Sequence, residues 1–190
     1  MNTYEINCST GNLKELKREN QIAQKKGLPF IMSSVILWTA IALIQLSDLD
    51  ITTKNMYTFM CSAFLMPLAF MFSKIVKARL FEKSTNPISK LGFLCTMNQI
   101  LYLIIVMWAY SQKPESMMML YAIIFGAHLL PFGWVYDSKA YLAASLINTS
   151  GVIIIGSRFG SAAAAGFVAV VELLLTICLF IELRRVRETD

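Results

Sequence analysis

Residues 160–182 read GSAAAAGFVAVVELLLTICLFIE. Glu172 is the one charge in this run before the closing Glu182. A helix rises about 1.5 Å per residue, so the run would be about 34 Å long, enough to cross a hydrocarbon core of roughly 30 Å. Its small residues allow a neighbouring helix to approach closely. The run therefore reads as a membrane-spanning helix.

Five similar runs precede it, at about 28–47, 55–73, 91–110, 117–135 and 140–157. The second carries Pro67, and the fourth carries His128 and Pro131. Asn148, Thr149 and Ser150 interrupt the fifth, which is expected to be a partly broken helix. Of the 190 residues, 56% are hydrophobic and 15% charged, and the mean hydropathy is +0.58, too apolar for a soluble domain. The expected fold is all-α: a polytopic bundle of six transmembrane helices over residues 28–182. Residues 1–27 form a basic cytoplasmic segment and 183–190 a cytoplasmic tail. The first apolar run follows a long polar segment and has no small-residue cleavage pattern, so it is expected to be a true span.

Lysine and arginine fix the orientation. With the N-terminus inside, all but three of the 17 fall on the cytoplasmic side. Lys54, Lys113 and Arg158 are the exceptions. Such asymmetry sets topology and favours an even number of spans. The net charge of +5 then needs no nucleic acid to explain it. Tyr57, Tyr110 and Tyr121 would mark the outer interface, and Trp134, Tyr136 and Tyr141 the inner one. The basic stretch 74–90, with Pro87, is long enough to lie along the inner membrane surface. In the N-terminal segment, Asn12 and Glu15 have the spacing of a helix start. A short helix on anionic headgroups and a solvated basic tail both fit that segment.

Polar residues in the spans gather at one depth. Asn98, Gln99, His128, Asn148 and Glu172 each lie about 10–15 Å from the cytoplasmic ends of their helices. Helical phase groups them into faces: Cys95, Asn98, Gln99 and Tyr102; Tyr141, Ser145, Asn148 and Gly151; and Ala162, Ala165, Ala169, Glu172 and Thr176. These faces are expected to point into the bundle. Together, Glu172, His128, Asn98, Gln99, Tyr102 and Asn148 would form a ligand or proton site. Charge is costly at this depth, which suits a Glu that takes up and releases a proton. The competing reading is structural, with these groups hydrogen-bonded between helices to hold the bundle together.

The run FGAHLLPFGW at 125–134 is the most distinctive in the chain. Its glycines permit close packing, and Pro131 frees a backbone carbonyl near His128. Pro67 is expected to be a tolerated kink. The small-residue run Gly160–Gly166 fits either a contact within the chain or a homo-oligomer.

No catalytic constellation is legible. With one histidine and no HExxH, zinc hydrolysis of the usual kind is excluded. No P-loop, GxGxxG or GxSxG pattern appears. Cys8, Cys61, Cys95 and Cys178 have no CxxC spacing, so neither a disulfide framework nor a metal site is expected. No cofactor is implied.

The stretches KKGLPF at 25–30, MPLAF at 66–70, MNQILY at 97–102 and FGAHLLPFGW at 125–134 resemble a family of small bacterial six-helix membrane proteins with no assigned function. The resemblance covers roughly residues 13–183. It implies a multi-pass protein of a bacterial, Gram-positive cytoplasmic membrane. Three functions are then open. The first is a small transporter or ligand-binding protein, built as two halves of three helices. The second is an accessory or scaffold protein acting through its basic face, where it also meets anionic lipid. The third is a lipid-modifying enzyme.

Overall fold

The computed structural model describes residues 10–80, 82 and 84–188. Cys8, Lys83 and the last two residues of the tail lie outside them. Five helices are long and apolar enough to cross a bilayer: Asn12–Leu46, Ile51–Ile75, Pro87–Gln112, Pro114–Val135 and Lys139–Val186.

The first of these bends. Helix α1, Thr10–Gln24, begins two residues ahead of the expected Asn12 cap. A single 3-10 turn, Lys25–Gly27, joins it to α2, Leu28–Leu46. Lys25, Lys26 and Gly27 are consecutively left-handed, with φ of 49°, 50° and 69°. That conformation costs a non-glycine residue about 1–2 kcal/mol, so other contacts must hold it. Lys26 Nζ meets Glu182 Oε2 at 2.7 Å, and Tyr141 Oη donates to Lys26 O at 2.8 Å. A Cβ on Gly27 would stand 3.0 Å from Tyr141 Oη, so this approach needs glycine.

The N-terminal segment is therefore not a solvated tail over its described part. Asn20 and Gln21 of α1 are buried. The helix is tied to Arg79, Asn86 and Ser89. Arg79 N donates to Ala23 O at 2.7 Å, Asn86 Nδ2 to Leu16 O at 2.8 Å, and Gln24 Nε2 to Ser89 Oγ at 2.7 Å. Lys17 Nζ lies 3.7 Å from the Trp134 ring centroid.

The second span is two helices, α3 (Ile51–Ala63) and α4 (Leu65–Ile75), separated at Phe64. Pro67 explains the break. It has no N–H, and its ring crowds the carbonyl four residues back, at Ala63. Helix α5, Pro87–Gln112, starts at Asn86, whose side chain accepts from Ile88 N. Helix α6, Pro114–Val135, continues through Pro131.

Helix α7, Lys139–Glu188, is interrupted at Gly160, with φ 83° and ψ −179°. Along one straight helix, Asn148 and Glu172 would be about 36 Å apart. Instead Asn148 Nδ2 lies 3.4 Å from Glu172 Oε1, and Ser138 Oγ lies 3.1 Å from Glu182 Oε1. Gly151 is against Phe167, and a Cβ on Gly156 would sit 3.5 Å from that of Ala164. The two halves thus lie antiparallel, folded back at Gly160. The expected break at Asn148–Ser150 is absent. Asn148 is occupied by Glu172, and Ser150 Oγ bonds back to Leu146 O at 2.6 Å, so neither side chain competes with the helix.

Lipid is as apolar as a leucine side chain, so helix association rests on close packing and hydrogen bonds. One core centres on Trp38, stacked on Tyr121 at 5.4 Å and edge-on to Phe125 at 5.0 Å. The other joins Leu28, Leu129, Tyr136, Tyr141 and Leu179 at the end where α1 docks. Tyr121, Tyr136 and Tyr141 are therefore core residues rather than interfacial ones. Trp134 remains half exposed beneath Lys17.

Candidate functional site

Glu172 lies at the centre of the bundle, with no exposed surface. Ser34 Oγ is 2.6 Å from Oε2, and Asn148 Nδ2 is 3.4 Å from Oε1. Asn148 is equally buried, and its Oδ1 finds no partner. Thr176 Oγ1 donates to Glu172 O at 2.8 Å. Among the described residues no cation pairs with the carboxyl. Helix α2 and the two halves of α7 thus meet in a buried, compact cluster.

A separate cavity of about 450 Å³ lies on the α1 side of this cluster. Its walls come from α2, α4, α5 and α6, and Gln24 and Gly27 border it from the α1 end. Most of the lining is apolar, including Phe30, Ile31, Met97, Phe125 and Phe132. Ser34, Thr96, Gln99 and His128 supply polar groups inside it. Helix α4 packs on α2 and touches α5 little, so the wall between α4 and α5 is incomplete. Met66 and Phe93, on either side of that gap, are 44% and 62% exposed. The cavity is thus bordered by apolar surface that would face lipid.

His128 Nδ1 bonds the carbonyl of Phe125. A carbonyl only accepts, so Nδ1 carries the hydrogen and Nε2 is left as an acceptor. The ring sits between Phe125 and Phe132, with centroids 5.0 and 5.9 Å away. Gln99 is half-buried, and among the described residues its amide has no partner. At the cavity's end Tyr136 Oη donates to Gln24 Oε1 at 2.8 Å, and burial pushes this hydroxyl well above its ordinary range, keeping it a donor.

The six residues singled out in the sequence are not one constellation. Glu172 and Asn148 meet in the buried cluster, and His128 and Gln99 line the cavity. Ser34 touches both, bonded to Glu172 and lining the cavity. Asn98 and Tyr102 join neither. They are exposed on the outside of α5, where Asn98 Nδ2 donates to Tyr102 Oη at 3.1 Å. This corrects the inward face expected for α5. That side of α5 turns away from α6, and a pair spaced by four residues on one helix needs no second helix to satisfy it.

Ser34 was not anticipated, although it lies at the same depth in the first span as the polar layer. A second group, near the opposite end, was also missed. Gln45 Nε2 donates to Thr58 Oγ1 at 3.2 Å, and Asn55 Nδ2 to Pro114 O at 2.8 Å. Both Asn55 and Thr58 are fully buried. Here too polar side chains hold helices together.

The glycines of the 125–134 run act as expected. A Cβ on Gly126 would lie 2.9 Å from that of Asn148, and Gly133 is against Leu142. Within the small-residue run, Ala164 and Ala165 are fully buried in the chain's own core. Cys61, Cys95 and Cys178 are free thiols.

No curated protein matches the chain, and no solved structure does. The resemblance read from the four motifs is shown by a family match over residues 13–182: the chain belongs to a family of unknown function, DUF7010.

Proposed function

We propose that this is a six-span protein of a bacterial cytoplasmic membrane that binds an amphiphilic ligand in the cavity, as a ligand-binding protein or small transporter. The two antiparallel halves of α7 would each cross the bilayer. The end that gathers α1, the segment after α4, the α6–α7 turn and the C-terminus would face the cytoplasm. Lys14, Lys17, Lys74, Lys77, Arg79, Lys139 and Arg184 all belong to that end, as the positive-inside rule requires.

The observation that carries this reading is the cavity itself. Its size is in the range of small-molecule sites, and it combines an apolar lining with a few polar groups. A proton-coupled centre at Glu172 has less support, because Glu172 does not line the cavity. Its role is to hold helices together and to orient Ser34. Among the described residues the cavity hydroxyls of Ser34, Ser89 and Thr96 make no hydrogen bond to His128, so a lipid-modifying reaction has less support.

Filling the cavity tests the reading. Purified full-length protein should retain an amphiphile through detergent exchange, detected by mass spectrometry of the extracted complex. Thr96→Trp, or Gly92→Leu, should reduce that retention to background while the protein remains monodisperse. Gly92 has room for a Cβ, 3.7 Å from Val135. Equal retention by both filled variants would overturn the proposal.

A further inference from the structure

A second recess, of about 400 Å³, lies beside the cavity. Phe70, Ser73, Lys74, Lys77, Arg79 and Glu82 line it. Glu82 borders both spaces, so the two adjoin there. Three cations therefore stand beside an apolar cavity. All three are exposed, and among the described residues none has an ion-pair partner. Lys74 Nζ lies 4.4 Å from the Phe70 ring centroid.

The segment that carries them is fixed. Lys77 is left-handed, with φ 55°, and Ala78 N donates to Ser73 O at 2.8 Å, closing the end of α4. Two residues later Arg79 N is bonded to Ala23 O of α1. A loop held at both sides presents its cations with little ordering left to do. General positive-inside bias accounts for basic residues at this end but not for a recess adjoining an apolar cavity.

Depth supports a lipid. Met66, at the gap between α4 and α5, is eight residues from Lys74, about 12 Å along the helix. One leaflet contributes about 15 Å of hydrocarbon. A headgroup at Lys74 thus places the acyl chain at the height of the gap.

Resting on the binding reading above, we propose that the ligand is an anionic phospholipid of the inner leaflet with a hydroxyl-bearing headgroup, the chemistry of phosphatidylglycerol. Its phosphate sits among Lys74, Lys77 and Arg79. A headgroup hydroxyl donates to the Glu82 carboxylate. An acyl chain passes between Met66 and Phe93 into the cavity.

Native mass spectrometry of the full chain in mixed micelles tests this, with phosphatidylglycerol and phosphatidylcholine offered separately. The wild type should retain phosphatidylglycerol preferentially. Combining Lys74→Gln, Lys77→Gln and Arg79→Gln should weaken its binding by about 100-fold, at about fivefold per cation. The control pair Lys14→Gln and Lys139→Gln, at the same end of the molecule, should leave it unchanged. Unchanged retention by the triple variant would overturn the headgroup site. If Thr96→Trp then still expelled lipid, the cavity reading would stand without it. If neither change had an effect, both would fall. Displacement of phosphatidylglycerol by millimolar inorganic phosphate or glycerol phosphate would show a soluble phosphate ligand and overturn the lipid assignment.

Discussion

Glu172 takes hydrogen bonds from a serine and an amide on two other segments, and among the described residues no cation pairs with it. Such an arrangement favours a glutamine in its place over a smaller side chain. Glu172→Gln should leave the melting temperature in detergent close to that of the wild type. Glu172→Ala leaves the Asn148 amide without its partner and Ser34 with only the Ile31 carbonyl, and should cost about 1 kcal/mol, measured as reduced thermal stability. Depth in the spans was enough to single out Glu172 and Asn148. It was not enough for Asn98 and Tyr102, because a polar stripe on one helix satisfies itself by i, i+4 bonding whichever way it faces. Outside the membrane, Asp50 caps α3 by accepting from Thr53 N at 2.9 Å and Thr53 Oγ1 at 2.7 Å. Those bonds, the Thr53 hydroxyl's foremost, hold its carboxyl below its ordinary value of 3.8. Its contribution is complete above that value and is lost as pH falls through the lower folded value. Acidification through that window should lower the protection factor of the Thr53 amide, and Asp50→Asn should weaken the dependence.

Among the elements, α7 depends most on one residue. Gly160 has φ 83° and ψ −179°, a region open almost only to glycine, and nothing lies within 4 Å of where its Cβ would be. Gly160→Ala therefore adds backbone strain without a clash. It should cost on the order of 1–3 kcal/mol, with lowered thermal stability and looser packing of the two halves. The end of the fifth apolar run near 157 and the start of the sixth at 160 were legible from Arg158 and the glycines. The helix through Asn148–Ser150 was not, because Asn148 finds its partner, Glu172, only across the hairpin. Helix α1 is latched rather than anchored by an apolar face. Replacing Lys26 with Met removes the ion pair to Glu182 and one brace on the left-handed turn. A loss of about 1 kcal/mol, or on the order of fivefold in undocked α1, should appear as faster hydrogen exchange over residues 12–24. Unchanged exchange there would assign the docking to Gln24, Arg79 and Asn86 alone.

At the scale of the whole molecule, apolar run lengths identified the helices because a bilayer sets a length that sequence displays directly. The cavity was hidden. It depends on α4 leaning on α2 and away from α5, which follows from the Pro67 break and the docked segment after it. No periodicity encodes that relation between distant helices. The binding proposal also depends on which end of the bundle faces the cytoplasm and on whether α7 crosses the bilayer twice. Cysteine labelling in intact cells measures both, using a version of the chain with its native cysteines replaced. A membrane-impermeant maleimide should modify Arg158→Cys, at the Gly160 turn, in sealed cells. It should reach Lys139→Cys and Arg184→Cys only after the cells are opened. Labelling of Arg184→Cys but not Lys139→Cys in sealed cells would mean that α7 crosses once, and would contradict the six-span, cytoplasm-facing site on which the account rests.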